Sequence, residues 1–289
     1  NAIAKSSRSM RFSHTKLLIL GENLMKYPDA VKEAIDYLQR EPSLNRNMYI
    51  VMSEGDAEKY VTFNMPIETS AENYILGMVE SDLKDNTVVP VTLNDFLVQM
   101  SENGNSMVPR IVVDKGSKNI KISGTFIIKN FAQKGTFNSV QTSNIELLKG
   151  ILKGGKKMIY LEGHPVDIRI DNTDRKIRVL QENGRLVFDV HLYIEGQIKN
   201  YYTGNETLSV DKLNQIQQYF NESIGKECKS VIKSTQREFQ VDPIGFREYI
   251  EKYHPFLWKQ VKNDWNDTYK NAVVNINVNT NIRRIGVTK

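Results

Sequence analysis

The amino-acid sequence predicts a mixed α+β protein of several modules, its C-terminal part an antiparallel sheet packed by long helices. Three observations predict it. Val166, Ile168 and Ile170 alternate with polar residues, and Leu186, Phe188, Val190, Leu192 and Ile194 repeat that two-residue period, the mark of strands buried on one face. Leu213, Ile216, Phe220, Ile224, Cys228, Val231, Thr235 and Phe239 step by three or four, as on one face of a long helix. The chain has 289 residues, more than one hydrophobic core usually organises, so two or three domains are expected.

The elements follow in chain order. Leu17-Leu18-Ile19-Leu20, closed by Gly21, reads as a strand buried on both faces. After Pro28-Asp29, the residues Val31, Ile35 and Leu38 share a helix face, and Met48 to Met52 forms a second strand ended by Ser53-Glu54-Gly55. This strand, helix, strand order is a βαβ-like N-terminal domain over residues 1–55, incomplete at its start. Residues 56–118 read as a small, mostly helical middle domain. There Ser70 caps a helix carrying Tyr74, Ile75, Met78 and Val79, and Thr92 caps one carrying Phe96, Leu97 and Met100. Glu102-Asn103-Gly104-Asn105-Ser106 is a loop by composition.

Residues 119–289 form the C-terminal domain. Turns are expected at Asp171-Asn172-Thr173-Asp174 and, as a tight hairpin, at Asn183-Gly184. The long helix follows Ser209. A second helical stretch starts at Pro243 and places Phe246, Ile250, Tyr253, Leu257 and Val261 on one face, with Pro255 breaking or kinking it. The chain closes on a strand with Val274, Ile276, Val278, Thr280 and Ile282 on one side and Asn275, Asn277, Asn279, Asn281 and Arg283 on the other. The long helix is expected to lie across the sheet made by residues 165–195 and 273–284.

Composition bounds the function. Hydrophobic residues make up 40% and charged residues 25%, as in folded globular proteins. Lysine and arginine number 39 against 34 acids, an excess of +5 that compels no nucleic-acid or lipid partner. The densest basic group, Lys149, Lys153, Lys156 and Lys157, is interrupted by glycines and reads as a solvated face. A single cysteine, Cys228, excludes an intrachain disulfide. No apolar run approaches the roughly 18 residues of a membrane span, and no secretory leader opens the chain, so a membrane tether is expected outside it.

No catalytic, cofactor-binding or metal-ligating residues emerge. Gly150 to Lys156 has the spacing of a phosphate-binding loop, but Lys157 stands where a magnesium-ligating hydroxyl belongs. A helix precedes these glycines and a strand follows, the reverse of the order that loop needs. His14, His164, His191 and His254 lie far apart, and His164 and His254 each precede a proline, which favours turn roles. Cys228 sits on an apolar stripe as a small hydrophobe. Asp264 and Asp267 lie in polar surroundings, and Trp258 and Trp265, seven apart, read as packing on one face.

Motifs along the chain carry a resemblance. The C-terminal fifty residues hold Asp242-Pro243-Ile244-Gly245-Phe246, Tyr253-His254-Pro255 with Trp258 and Trp265, Val274 to Val278, and Ile282-Arg283-Arg284-Ile285-Gly286. Upstream stand Phe12-Ser13-His14-Thr15-Lys16, Leu93-Asn94-Asp95-Phe96, Val108-Pro109-Arg110, Gly124-Thr125-Phe126, and Gly154-Gly155 followed by Gly163-His164-Pro165-Val166. In order and spacing the chain resembles the Ger(x)C family, the C subunits of spore germinant receptors. The resemblance implies a three-domain ectodomain without enzymatic activity or cofactor. It implies a lipoprotein on the outer face of the spore inner membrane, held by an N-terminal lipid absent from this chain. Its partners would be two integral-membrane subunits of A and B type, with no nucleic acid. Capture of the nutrient itself in an interdomain cleft is the alternative function.

Overall fold

A computed structural model describes residues 14–63, 70–85, 90–114, 116, 119–201 and 209–285. Phe12, Ser13 and Gly286 of the motifs above lie outside the described residues. The chain forms two compact units, Asn1–Leu83 with Val88–Asn138 and Lys84–Thr87 with Ser139–Lys289.

In the first unit, β1 (Leu17–Gly21), α1 (Pro28–Arg40) and β2 (Tyr49–Ser53) form the expected βαβ motif, with β1 and β2 parallel. A short 3-10 turn, Glu22–Lys26, joins β1 to α1. Helices α2 (Glu58–Val61) and α3 (Ala71–Asp85) follow, then β3 (Val91–Thr92), α4 (Leu93–Asn103), β4 (Asn105–Val113), β5 (Ile120–Lys129) and β6 (Ala132–Phe137). The strand order is β1-β2-β4-β5-β6, with β3 also on β2. β1 is an edge, so Leu17, Leu18 and Ile19 are half-buried rather than covered on both faces.

The two-residue period of a strand divides this unit's core in two. Ile50 and Met52 point to a cluster with Val31 and Ile35 of α1 and Phe96 and Met100 of α4. Val51 points the other way, to Tyr60 of α2 and Ile75 and Val79 of α3. Helices thus cover both faces. Thr92 caps α4 in a reciprocal box: its Oγ1 accepts from Asp95 N at 3.1 Å, and Asp95 Oδ2 accepts from Thr92 N at 3.1 Å. Residues 102–106 are not a loop: α4 stops at Gly104 and β4 begins at Asn105.

In the second unit, α5 (Ser139–Lys149) leads to β7 (Lys156–Leu161), β8 (His164–Glu182) and β9 (Arg185–Tyr201). Then come α6 (Val210–Ser234), a π turn (Thr235–Phe239), α7 (Phe246–Tyr253), α8 (Pro255–Val261), a 3-10 turn (Lys262–Asp264), α9 (Trp265–Asn271) and β10 (Val273–Ile285). The sheet order is β10-β9-β8-β7. β7, β8 and β9 are antiparallel, and the β8–β9 hairpin turns at Asn183 (φ 49°) and Gly184 (φ 75°), the paired positive angles of a type I′ turn.

Two details differ from the sequence reading. β10 joins β9 in parallel, because the chain reaches it through α6 to α9, a crossover long enough to reverse direction. No turn occurs at Asp171 to Asp174 either; β8 runs through it. The pairing of Ile170 with Gly196 is followed by Asn172 with Glu195, so Asp171 is the extra residue of a bulge. The bulge resets the phase. Asp171 and Asn172 both face solvent, and Thr173 returns inward to donate to Leu152 O at 2.9 Å.

Ser209 Oγ accepts from Lys212 N at 3.2 Å and starts α6. The stripe Ile216, Phe220, Ile224, Cys228 and Val231 is buried. α6 meets both outer strands of its sheet. Glu227 pairs with Lys157 of β7 at 3.0 Å, while Thr280 Oγ1 of β10 donates to Asn221 Oδ1 at 2.6 Å and Ile282 N donates to Gln217 Oε1 at 2.9 Å. α6 thus lies against the face of the sheet and reaches both outer strands, β7 and β10.

Candidate functional site

The residues weighed for chemistry fall into structural places. The glycine-rich stretch after Lys149 links the end of α5 to β7, so it does not open a helix as a phosphate-binding loop does. Lys157 is buried, not solvated: its Nζ donates to Asn144 Oδ1 at 2.7 Å and to Glu227 Oε2 at 3.0 Å. Asn144 Nδ2 closes the triangle on Glu227 Oε2 at 2.9 Å. Burial pushes the Cys228 thiol up to about 12, which leaves no thiolate for nucleophilic work. His14 precedes β1, His164 opens β8, His191 lies in β9 and His254 separates α7 from α8, and among the described residues no three His, Cys, Asp or Glu side chains converge as a metal site. Asp264 and Asp267 are exposed.

The C-terminal signature residues do converge, around Asp242. Its Oδ1 accepts from Ile244 N at 3.2 Å and Gly245 N at 3.0 Å, and its Oδ2 accepts from Arg247 N at 2.8 Å. One carboxylate thereby satisfies three amides at the start of α7, a helix cap reached from outside the helix. Gly245, at φ 86°, makes the bend that lets these amides point at one side chain. Burial, and then the nearby Glu248 charge, push the Asp242 carboxyl up to about 6, against the pull of the same amides.

Arg175 locks the frame. Its Nη1 donates to Leu148 O at 2.9 Å and Ile244 O at 3.0 Å, tying the end of α5 to the loop before α7. Phe246 packs on Phe188 with ring centroids 4.4 Å apart, and Tyr249 Oη donates to Ile177 O at 2.6 Å. On the far side, Thr235 and Tyr269 share a hydroxyl hydrogen bond of 2.6 Å. Gln236 Nε2 donates to Tyr269 O at 2.7 Å and Ala272 O at 2.9 Å. Trp258 meets Trp265 edge-on at 5.8 Å, Trp265 stacks on Tyr269 at 6.0 Å, and Arg247 covers Trp258 at 5.1 Å. The tryptophans are thus packing, as their spacing indicates.

What this frame presents outward is α8. Pro255 stands at its first position after His254, so the expected interruption at this proline is a full break into two helices. No residue of α8 is fully buried, Phe256 is 81% exposed, and Tyr253 at the end of α7 is 58% exposed. The sequence showed the proline break, but not that Asp242 and Arg175 support it. An Asp-Pro followed by glycine is a turn signal, and nothing local to it names a partner sixty-seven residues upstream.

Residues 123–286 match the family described as spore germination B3/GerAC like, C-terminal. The chain belongs to this family. Residues 1–113 match the spore germination protein N-terminal domain. Spore germination protein B3 of Bacillus subtilis (strain 168) is 25% identical over 279 residues, covering 94% of this chain and 74% of that protein. Spore germination protein A3 of the same strain is 24% identical over 278 residues, with the same shares. GerQC of Bacillus cereus is 19% identical over 291 residues, 100% of this chain and 79% of that one. The crystal structure of the GerBC protein has the same fold, with a TM-score of 0.80 and 21% identity over 98% of this chain and 83% of its own. The GerAC-like C-terminal region begins within β5, so most of β5 and all of β6 lie inside that region and yet complete the sheet of the first unit.

Proposed function

We propose that the chain is the C subunit of a spore nutrient germinant receptor, a non-catalytic lipoprotein that assembles with two integral-membrane subunits and is needed for the germination response. The observation that carries this reading is the consecutive match of both family regions, residues 1–113 and 123–286, along one chain. The relatives' names, all of spore germination proteins, supply the process. The chemistry of the site supports the absence of catalysis. Asp242, Cys228 and Tyr269, whose acidities are most displaced, are buried in helix caps and packing, where no substrate atom reaches them.

Deletion of the gene in its spore-forming host tests the reading. The expected result is spores that no longer respond to one class of nutrient, with the membrane subunits depleted from the inner membrane and both restored by the full-length gene. Unchanged germination on every nutrient, with unchanged partner levels, would overturn it.

A further inference from the structure

The α7–α8 corner projects two aromatic side chains outward, Tyr253 touching the fold through Tyr249 at 4.9 Å between ring centroids. Phe256 and Tyr253 project from it at 81% and 58% exposure. Each exposed ring carries a lysine: Lys259 Nζ lies 5.9 Å from the Phe256 centroid and Lys252 Nζ lies 5.1 Å from that of Tyr253. Lys262, also exposed, follows on the next turn. The acids of α7 to α9 are Glu248, half-buried beside Asp242, Glu251, which pairs with Arg247 at 3.4 Å, and exposed Asp264 and Asp267, while the groups laid over the two exposed rings are both lysines.

We propose that this knob is a contact with an anionic bilayer surface, lying in the second unit and so separate from any lipid at the N-terminus. The proposal rests on the reading of the chain as a protein held at a membrane, because two rings and three lysines make a weak contact unless a tether supplies proximity. The shape and the composition select the bilayer over a protein partner. A convex tip with one projecting phenyl ring needs no complementary pocket when the acceptor is the soft boundary of headgroups and acyl chains. Lysines laid over aromatic rings suit that boundary, with rings in the acyl margin and ammonium groups among the phosphates, whereas lysine is depleted from protein interfaces.

The chain contains two tryptophans, Trp258 and Trp265, and both sit in this corner, so intrinsic fluorescence reports on it. The test is sedimentation of the purified chain with sucrose-loaded vesicles of phosphatidylglycerol and phosphatidylcholine, against phosphatidylcholine alone. We expect partitioning onto the anionic vesicles, a blue shift of the tryptophan emission, and weakening by salt. Tyr253→Ala with Phe256→Ala should lower the partition constant by roughly tenfold or more. Lys252→Gln, Lys259→Gln and Lys262→Gln together should reduce it to the value on phosphatidylcholine. These side chains are exposed, so thermal midpoints within about 2 °C of the parent would show that folding is intact. Absence of binding, equal binding to neutral vesicles, or binding unaffected by both sets overturns the proposal. So does a knob whose substitution leaves vesicle binding intact but abolishes association with the integral-membrane subunits. The vesicle assay contains no partner subunit and no spore, so its failure is distinct from failure of the receptor reading, which the deletion strain reports.

Discussion

Two buried charged residues set the sharpest expectations at the scale of the single side chain. Asp242→Asn keeps one acceptor oxygen but turns an amide NH2 toward the Arg247 N–H, leaving a buried donor unsatisfied, and should cost about 1–3 kcal/mol. The loss should depend on pH. The carboxyl titrates near 6 when folded against its ordinary 3.8, so between these values the folded state holds more proton than the unfolded one. Its contribution is therefore largest at low pH and declines as pH rises through about 6. Urea titrations should show the gap between parent and Asp242→Asn shrinking from pH 4 to pH 7; a gap that widened over this range would contradict the assignment. Lys157→Met tests the other charge. It leaves Glu227 without its ammonium, but that carboxylate side chain is 33% exposed and partly solvated, so the loss should be nearer about 1–2 kcal/mol than the cost of breaking a fully buried pair. Neither role was legible in the sequence. Lys157 stood among lysines that do face water, and strand phase alone decides that it points inward while Lys156 points out.

Periodicity was most informative at the scale of the element, because it records which face of a helix or strand meets the core. The stripe of α6 was read residue by residue, and Phe220 and Ile224 are now 0% and 1% exposed beneath it. Replacing either with Ala should cost about 2–5 kcal/mol by lost burial and a residual cavity, and a chemical-denaturation value below about 0.5 kcal/mol would place the stripe elsewhere. Alternation likewise found β10 but was silent on its neighbour, since the same inward set, Val274 to Ile282, serves a parallel or an antiparallel partner equally. The polar run in β8 misled for a related reason. A bulge puts two polar residues side by side, and composition cannot separate that from a turn. Gly124 shows what a motif residue is for: at φ 80°, a Cβ there would overlap the carbonyl oxygen of Phe137 on the neighbouring strand β6. Gly124→Ala should therefore destabilise by more than the ~1 kcal/mol typical of a glycine change in an exposed helix, read as a fall in thermal midpoint.

Membership of the family was legible for the whole molecule from the order of short motifs, and the structure accounts for several of them by packing rather than by chemistry. Asp242, Gly245, Phe246, Trp258 and Trp265 build a support around α7 and α8. The same logic bears on attachment to the membrane. Among the described residues no helix is long and apolar enough to cross a bilayer, so the lipoprotein reading needs an acyl group on a cysteine. Cys228 is the chain's only cysteine, and it is the wrong one. It sits in the C-terminal half of α6, 0% exposed on the stripe packed against the sheet, so an acyl chain there would have to displace the core. Its thiol, pushed up to about 12, is also protonated at any physiological pH and cannot attack an acyl donor. On that reading the acyl group is expected on a cysteine other than Cys228. Metabolic labelling of the full-length protein with a palmitate analogue should leave Cys228→Ser as strongly labelled as the parent. Loss of label from Cys228→Ser would refute this account of anchoring.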